Sequence, residues 1–258
     1  MRLLRRRGQP GLPDDWRQLL AARSGQWALL DDDERTRLGE LAELLLTTKR
    51  WEAARGIALT DPIRTLVAAH GALLVLGLDE RWFDEVGTFV IRGRAMARER
   101  PHATWGRVDG VVDGSPGIID GQADHGDGPV MVNWSAFRRE ARNPRCGRDV
   151  VLHEMAHKLD MLDGTVDGTP PIDDAALRQR WIAAGTAELE ALRAGESRRL
   201  RGYAATNPGE LFAVAVELFF TRPLEMEAEA PDLYEPLRDM LAQDPAARWR
   251  RALDQVPS

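Results

Sequence analysis

Two histidines four positions apart, His153 and His157, flank a glutamate in the string His153-Glu154-Met155-Ala156-His157. If that string is helical, one turn of about 3.6 residues stacks both imidazoles on one face, where they can share a divalent cation. Glu154 is turned by about 100° from His153, which sets its carboxylate beside the ion and in reach of a water there. The spacing therefore predicts two metal ligands and a base. The competing explanation is a chance pair on an amphipathic helix, satisfied by hydrogen bonds or solvent, and a chain with only five histidines leaves little room for it.

A catalytic zinc takes three protein ligands and leaves one position for water, so a third donor is needed. The run Asn207-Pro208-Gly209-Glu210 through Glu217 offers two carboxylates on a second helix. Glu210 falls in its first turn and Glu217 two turns later, near the same face, and placement alone does not choose between them. Each also has an ordinary role. Glu210 suits the positive end of a helix dipole, and Glu217 can partner an arginine or a ligand imidazole. Asp160, three positions after His157, is placed to orient an imidazole or simply to be solvated. His70, His102 and His125 lack ligand spacing and read as surface or core residues, although His125 lies in a Gly- and Asp-rich loop that could approach a substrate.

The elements that must carry these residues follow from periodicity and punctuation. Val151, Met155, Leu159 and Leu162 recur at intervals of three and four, so 148–162 is expected to be a helix that Gly164 ends. Asp173-Asp174 opens a long helix to about 193, and Asn207-Pro208 opens another to about 221. Upstream, 14–22 and 31–54 read as paired helices, the second with an acidic first turn at 31–34, and Asp61-Pro62 starts a third. Short β-prone runs at 86–92, 117–120 and 130–134 suggest a small twisted sheet. Two short helices are expected beyond Pro231. The expected fold is α+β and mostly helical, with residues 1–85 as a helical region packed on a catalytic region of 86–258.

Composition narrows the function classes. Hydrophobic residues at 43% and charged residues at 29% are the balance of a globular protein with a sizeable core. A net charge of -6 argues against direct nucleic-acid binding. Arg2, Arg5, Arg6 and Arg7 are followed by Gln9-Pro10-Gly11 instead of an apolar stretch, so no signal peptide is read there. The longest apolar run, 66–78, is short of the roughly 20 residues that span a bilayer. One cysteine, Cys146, excludes an internal disulfide and a cysteine metal cage, and is compatible with a cytoplasmic location.

The strings Val151-Leu152-His153-Glu154-Met155-Ala156-His157-Lys158-Leu159-Asp160 and Tyr203-Ala204-Ala205-Thr206-Asn207-Pro208-Gly209-Glu210-Leu211-Phe212-Ala213-Val214 resemble the Mlc titration factor A family of zinc peptidases. The likeness is carried by 111–220, including Gly128 to Trp134, while the first hundred residues share only a helical character. It implies one zinc per chain, with Glu210 as third ligand beside His153 and His157 and Glu154 as base. It also implies a zincin-like domain similar to the catalytic domain of anthrax lethal factor, where a tyrosine seven positions before the ligand glutamate lies by the metal. Tyr203 holds that position here, although a tyrosine can also simply pack its ring and bond its hydroxyl. The activity implied is hydrolysis of a peptide or protein substrate, often of aminopeptidase type. Two rival expectations stand beside it: a regulatory factor that sequesters a transcriptional repressor, and a zinc hydrolase acting on a non-peptide bond. A final expectation is that 130–134 forms a sheet edge on which an extended substrate pairs.

Overall fold

The computed structural model describes residues 10–93 and 128–255, together with the backbone of 96–97, 118–119 and 121–123. His102 and His125, and with them the loop reading of His125, lie outside the described residues. The fold is α+β and mostly helical, as the periodicity predicts. In chain order it runs α1 (Trp16–Arg23), α2 (Asp32–Thr48), β1 (Arg50–Ala53), α3 (Asp61–Leu74), β2 (Thr88–Arg92), β3 (Met96–Ala97), β4 (Ile118–Ile119), β5 (Gly121–Ala123), β6 (Val130–Asn133) and α4 (Trp134–Glu140). Then follow α5 (Val150–Asp160), α6 (Ala175–Ala194), α7 (Pro208–Thr221), α8 (Pro223–Glu229), α9 (Pro231–Leu241) and α10 (Pro245–Asp254).

The main sheet has the order β1-β2-β6-β5, with β1, β2 and β6 parallel and β5 antiparallel to β6. This corrects two expectations. The helix expected over 31–54 stops at Thr48, because the Trp51 indole donates to the Leu45 carbonyl at 3.2 Å and its ring stacks on Phe89 at 4.3 Å. Those contacts, together with parallel pairing to β2, outweigh the helical pattern and draw 50–53 into the sheet. The second correction concerns β6, which is paired on both sides and therefore cannot be the edge that receives an extended substrate. Its strand also ends one residue early, at Asn133, whose side chain caps α4 by accepting from Ser135 N at 3.0 Å.

Helix α5 lies at the centre. It packs on β5 and β6 on one side, on α7 on the other, and against α3 from the N-terminal half. All eleven of its residues are buried, which is why its apolar stripe is flanked by functional polar groups and not by a solvated face. One apolar core takes in residues from Leu20 to Ala246, including Phe89, Val132, Leu152, Met155, Phe212 and Phe219. The proline at the first turn of α3, α7, α8, α9 and α10 starts each helix where its missing N–H costs nothing. No helix among the described residues is long and apolar enough to cross a membrane.

Candidate metal centre

Each of the two helices that carry the site begins at a side-chain cap. Asp149 Oδ1 accepts from Val151 N and Leu152 N at 3.0 and 3.1 Å and starts α5. Asn207 Oδ1 accepts from Glu210 N at 2.9 Å and starts α7. The crossing of α5 and α7 then brings His153, His157 and Glu210 together, with one donor atom of each within 4.8 Å of the others. Glu210 Oε2 is 3.2 Å from His153 Nε2 and 3.5 Å from His157 Nε2. Tetrahedral zinc with bonds of about 2.0–2.1 Å spaces its donors by roughly 3.3 Å, so these separations fit that ion. Glu210 Oε2 is itself buried and makes no hydrogen bond among the described residues. The three side chains could therefore hold a metal ion between them.

The field of the protein groups also favours a cation here. Burial by itself would lower the His153 pKa, but the charge of Glu217 and the close approach of the Glu210 and Glu217 carboxylates push it up to about 10. Against its own burial, Glu210 is held well below the carboxylate range by His153 and His157.

Glu154 is buried beside the cluster, and its Oε2 makes no hydrogen bond among the described residues. Burial pushes its carboxyl up to about 8, opposed by His153 and reinforced by Glu210 and Glu217. Tyr203 donates its hydroxyl to Glu210 Oε1 at 2.9 Å, and its ring lies 6.1 Å from that of His153. Tyr203 is 50% exposed, so it borders solvent while its hydroxyl reaches the cluster. Burial of that hydroxyl and the neighbouring Glu210 charge raise its pKa, which keeps it a hydrogen-bond donor.

Glu217 and Asp160 receive roles that spacing left open. Glu217 Oε2 lies 3.2 Å from His153 Nδ1 and 2.5 Å from Arg201 Nη1, while its Oε1 accepts from Asp149 N at 3.0 Å. His153 therefore sits between two glutamates of one helix, Glu210 facing Nε2 and Glu217 facing Nδ1. Asp160 instead accepts from Gly168 N at 2.9 Å and ties down the loop after α5, and burial pushes its carboxyl up to about 6. Sequence reasoning missed two buried or half-buried partners, Arg201 and Ser24, while His70, read as a surface or core residue, is in the core. His70 Nδ1 meets Asp149 Oδ2 at 2.5 Å, and its Nε2 meets Ser24 Oγ at 2.9 Å. The available signal was an isolated histidine on the apolar helix 61–74, a place where an imidazole needs hydrogen-bond partners.

The profile of the glucose-regulated metallo-peptidase M90 family matches residues 1–241, so the likeness extends beyond 111–220 into the N-terminal helices. An uncharacterized protein of Synechocystis sp. is 28% identical over 241 residues, covering 92% of this chain and 86% of that protein. Mlc titration factor A of Yersinia pestis is 32% identical over 230 residues, covering 87% of this chain and 83% of the relative. The protein of that name in Yersinia pseudotuberculosis gives the same identity and coverage.

Proposed function

Because the chain belongs to the glucose-regulated metallo-peptidase M90 family, we propose that it is a zinc-dependent peptidase in which His153, His157 and Glu210 hold one ion and Glu154 is the base. The observation that carries this reading is the convergence of three donor atoms on one point, with Glu210 Oε2 buried and lacking a hydrogen bond. Zinc held there would supply Lewis-acid polarisation of the scissile carbonyl and a water acidic enough to attack near neutral pH.

The protein groups divide the remaining work. Glu154, buried beside the cluster with its Oε2 making no hydrogen bond among the described residues, is placed to accept the proton of the attacking water and to pass it to the leaving amine. Tyr203, kept protonated, turns its hydroxyl from Glu210 toward the carbonyl oxygen on which charge develops. Glu217 accepts from His153 Nδ1, which leaves Nε2 as the metal-facing nitrogen. The single cysteine supports a cytoplasmic site of action. Aminopeptidase preference follows the family resemblance, and a peptide with a free amine should then be cut faster than its N-acetylated form.

Metal content of the purified protein and its variants tests the ligand set. The wild type should hold one zinc, and His153→Ala and Glu210→Ala should lose it. Glu154→Gln should keep zinc and cut peptides at least 100-fold more slowly, the loss expected of a missing general base. Stoichiometric zinc in Glu210→Ala would sink the assignment of the third ligand, and unchanged cleavage by Glu154→Gln would sink that of the base.

The name of the Yersinia relatives motivates a second reading, in which the chain titrates a regulatory protein such as a transcriptional repressor and cleavage is secondary or absent. Binding of that partner by the Glu154→Gln variant, with no cleavage of any peptide by the wild type, would favour it. A panel of peptides, amides and esters with and without chelator separates peptidase from other zinc hydrolase activity.

A further inference from the structure

Behind His153, on the side away from the metal-facing nitrogens, lies a cleft of about 300 Å³ whose lining includes Arg148, Arg198, Arg199, Arg201 and Arg222. No carboxylate among the described residues lines it. In a chain of net charge -6, five guanidinium groups around one small cleft is a local reversal of sign. Two of them are neutralised from outside the cleft. Arg199 pairs with Glu188 and Asp232 at 2.5 and 2.8 Å, and Arg201 with Glu217 at 2.5 Å. Arg148 and Arg198 have no ion pair among the described residues, while Arg222 gives its Nε to the Arg145 carbonyl at 3.4 Å and lies in the field of Glu225. Like charges gathered without counter-ions repel, and planar guanidinium forks are matched in geometry by phosphate oxygens.

We propose that this cleft binds a phosphate group, either the free ion or a phosphate monoester of a small molecule, and that Arg201 couples its occupancy to the neighbouring centre. Arg148 and Arg198, exposed and unpaired, supply the charge that captures the anion, and Arg222 closes on it from the start of α8. Arg201 shares its guanidinium between the cleft and Glu217, so an anion that draws it outward loosens the group behind His153 Nδ1. Arg201 also lies over the Tyr203 ring, 5.9 Å from its centroid, so the cleft adjoins the side where Nε2 and Glu210 meet Tyr203. Binding to the cleft stands without the peptidase reading, whereas the coupling rests on it.

Cys146 lines the same cleft and is the only cysteine of the chain, so its labelling rate reports on the cleft alone. The zinc-loaded protein is titrated with inorganic phosphate and with glycerol phosphate at constant ionic strength held by chloride, while an anionic disulfide reagent labels Cys146. Labelling should slow saturably with either ligand, and the midpoint should move at least tenfold higher in Arg148→Ala/Arg198→Ala and in Arg198→Glu. Both substitutions are on exposed side chains, and thermal melting checks that they fold. Tighter binding of the ester identifies an esterified group as the occupant, and equal or tighter binding of the free ion identifies the ion. The absence of saturation beyond the chloride control, or an unmoved midpoint in folded variants, overturns the site. Saturating phosphate should also change kcat at least twofold in the wild type but not in the double variant, and an equal effect in both overturns the coupling while leaving the binding result intact.

Discussion

The two ends of α5 are held by different means, although each carries one of the paired histidines. At the N-terminal end, Asp149 caps the helix with one oxygen, holds His70 with the other, and donates its own N–H to Glu217. Glu217 in turn meets His153 and Arg201, so a continuous buried chain of polar contacts runs from Ser24 to the imidazole. At the C-terminal end the partners are loops. Lys158, fully buried, donates to the Gly128 carbonyl at 2.8 Å, and Asp160 accepts from Gly168 N. The comparison teaches that His153 is preset by packed helices, whereas the end near His157 organises the segments that border the site. Rigid elements position ligands more closely than loops do.

Breaking the N-terminal anchor should cost most. Asp149→Ala removes a helix cap and leaves His70 buried beside an empty position, so we expect a loss of about 3–5 kcal/mol in denaturant unfolding. A loss below about 1 kcal/mol would mean that the chain of contacts does not anchor the helix. Glu217→Gln keeps the shape but weakens the group behind His153, and metal affinity measured by chelator competition should fall by about 10- to 100-fold. An affinity unchanged in that variant would separate the imidazole from its supposed support.

The loop-facing end should respond more mildly and with a distinct pH signature. Burial raises the Asp160 carboxyl to about 6, above an unfolded value of about 3.9, so the native state binds the extra proton between those pH values. The stability this contributes is complete below the unfolded value and is lost as pH rises through about 6. Asp160→Asn retains an acceptor for Gly168 N without the charge. Its stability relative to wild type should therefore improve by on the order of 1–2 kcal/mol between pH 4 and pH 7, read from unfolding curves at each pH. The smallest effect is expected for Lys158→Met, where loss of the ammonium contacts, among them those to the Gly128 carbonyl and the Met161 sulfur, is offset by removal of a buried charge, giving a change within about 1 kcal/mol. Faster limited proteolysis near Gly128 in that variant would show that the contact holds the loop even though it adds little to global stability.

What was readable without coordinates were features that repeat or punctuate locally. The four-residue spacing fixed which imidazoles share a face, Asn207-Pro208 fixed where α7 begins, and the apolar periods fixed most of the helices. The same local logic failed at 49–53, where helical periodicity continues but Trp51 finds a better partner in Phe89 from a distant strand. It also failed to see that β6 is interior, since an edge is defined by which neighbours pair and not by the strand itself.

The two glutamates of α7 mark the boundary most sharply. Seven residues apart, they lie on nearly one face and about 10 Å apart along the axis, and sequence offers each of them equally to the metal. Only the angle at which α7 crosses α5 decides that Glu210 reaches Nε2 and Glu217 reaches Nδ1 of the same ring. His70 and Arg201 gained their roles in the same way, through partners 79 and 16 positions away. Helical spacing is set by backbone geometry that every residue carries with it, so the chain alone determined the paired imidazoles and the glutamate beside them. The approach of Glu210 and the groups behind the imidazole depend on distances between segments far apart in sequence, and those exist only once the core has packed.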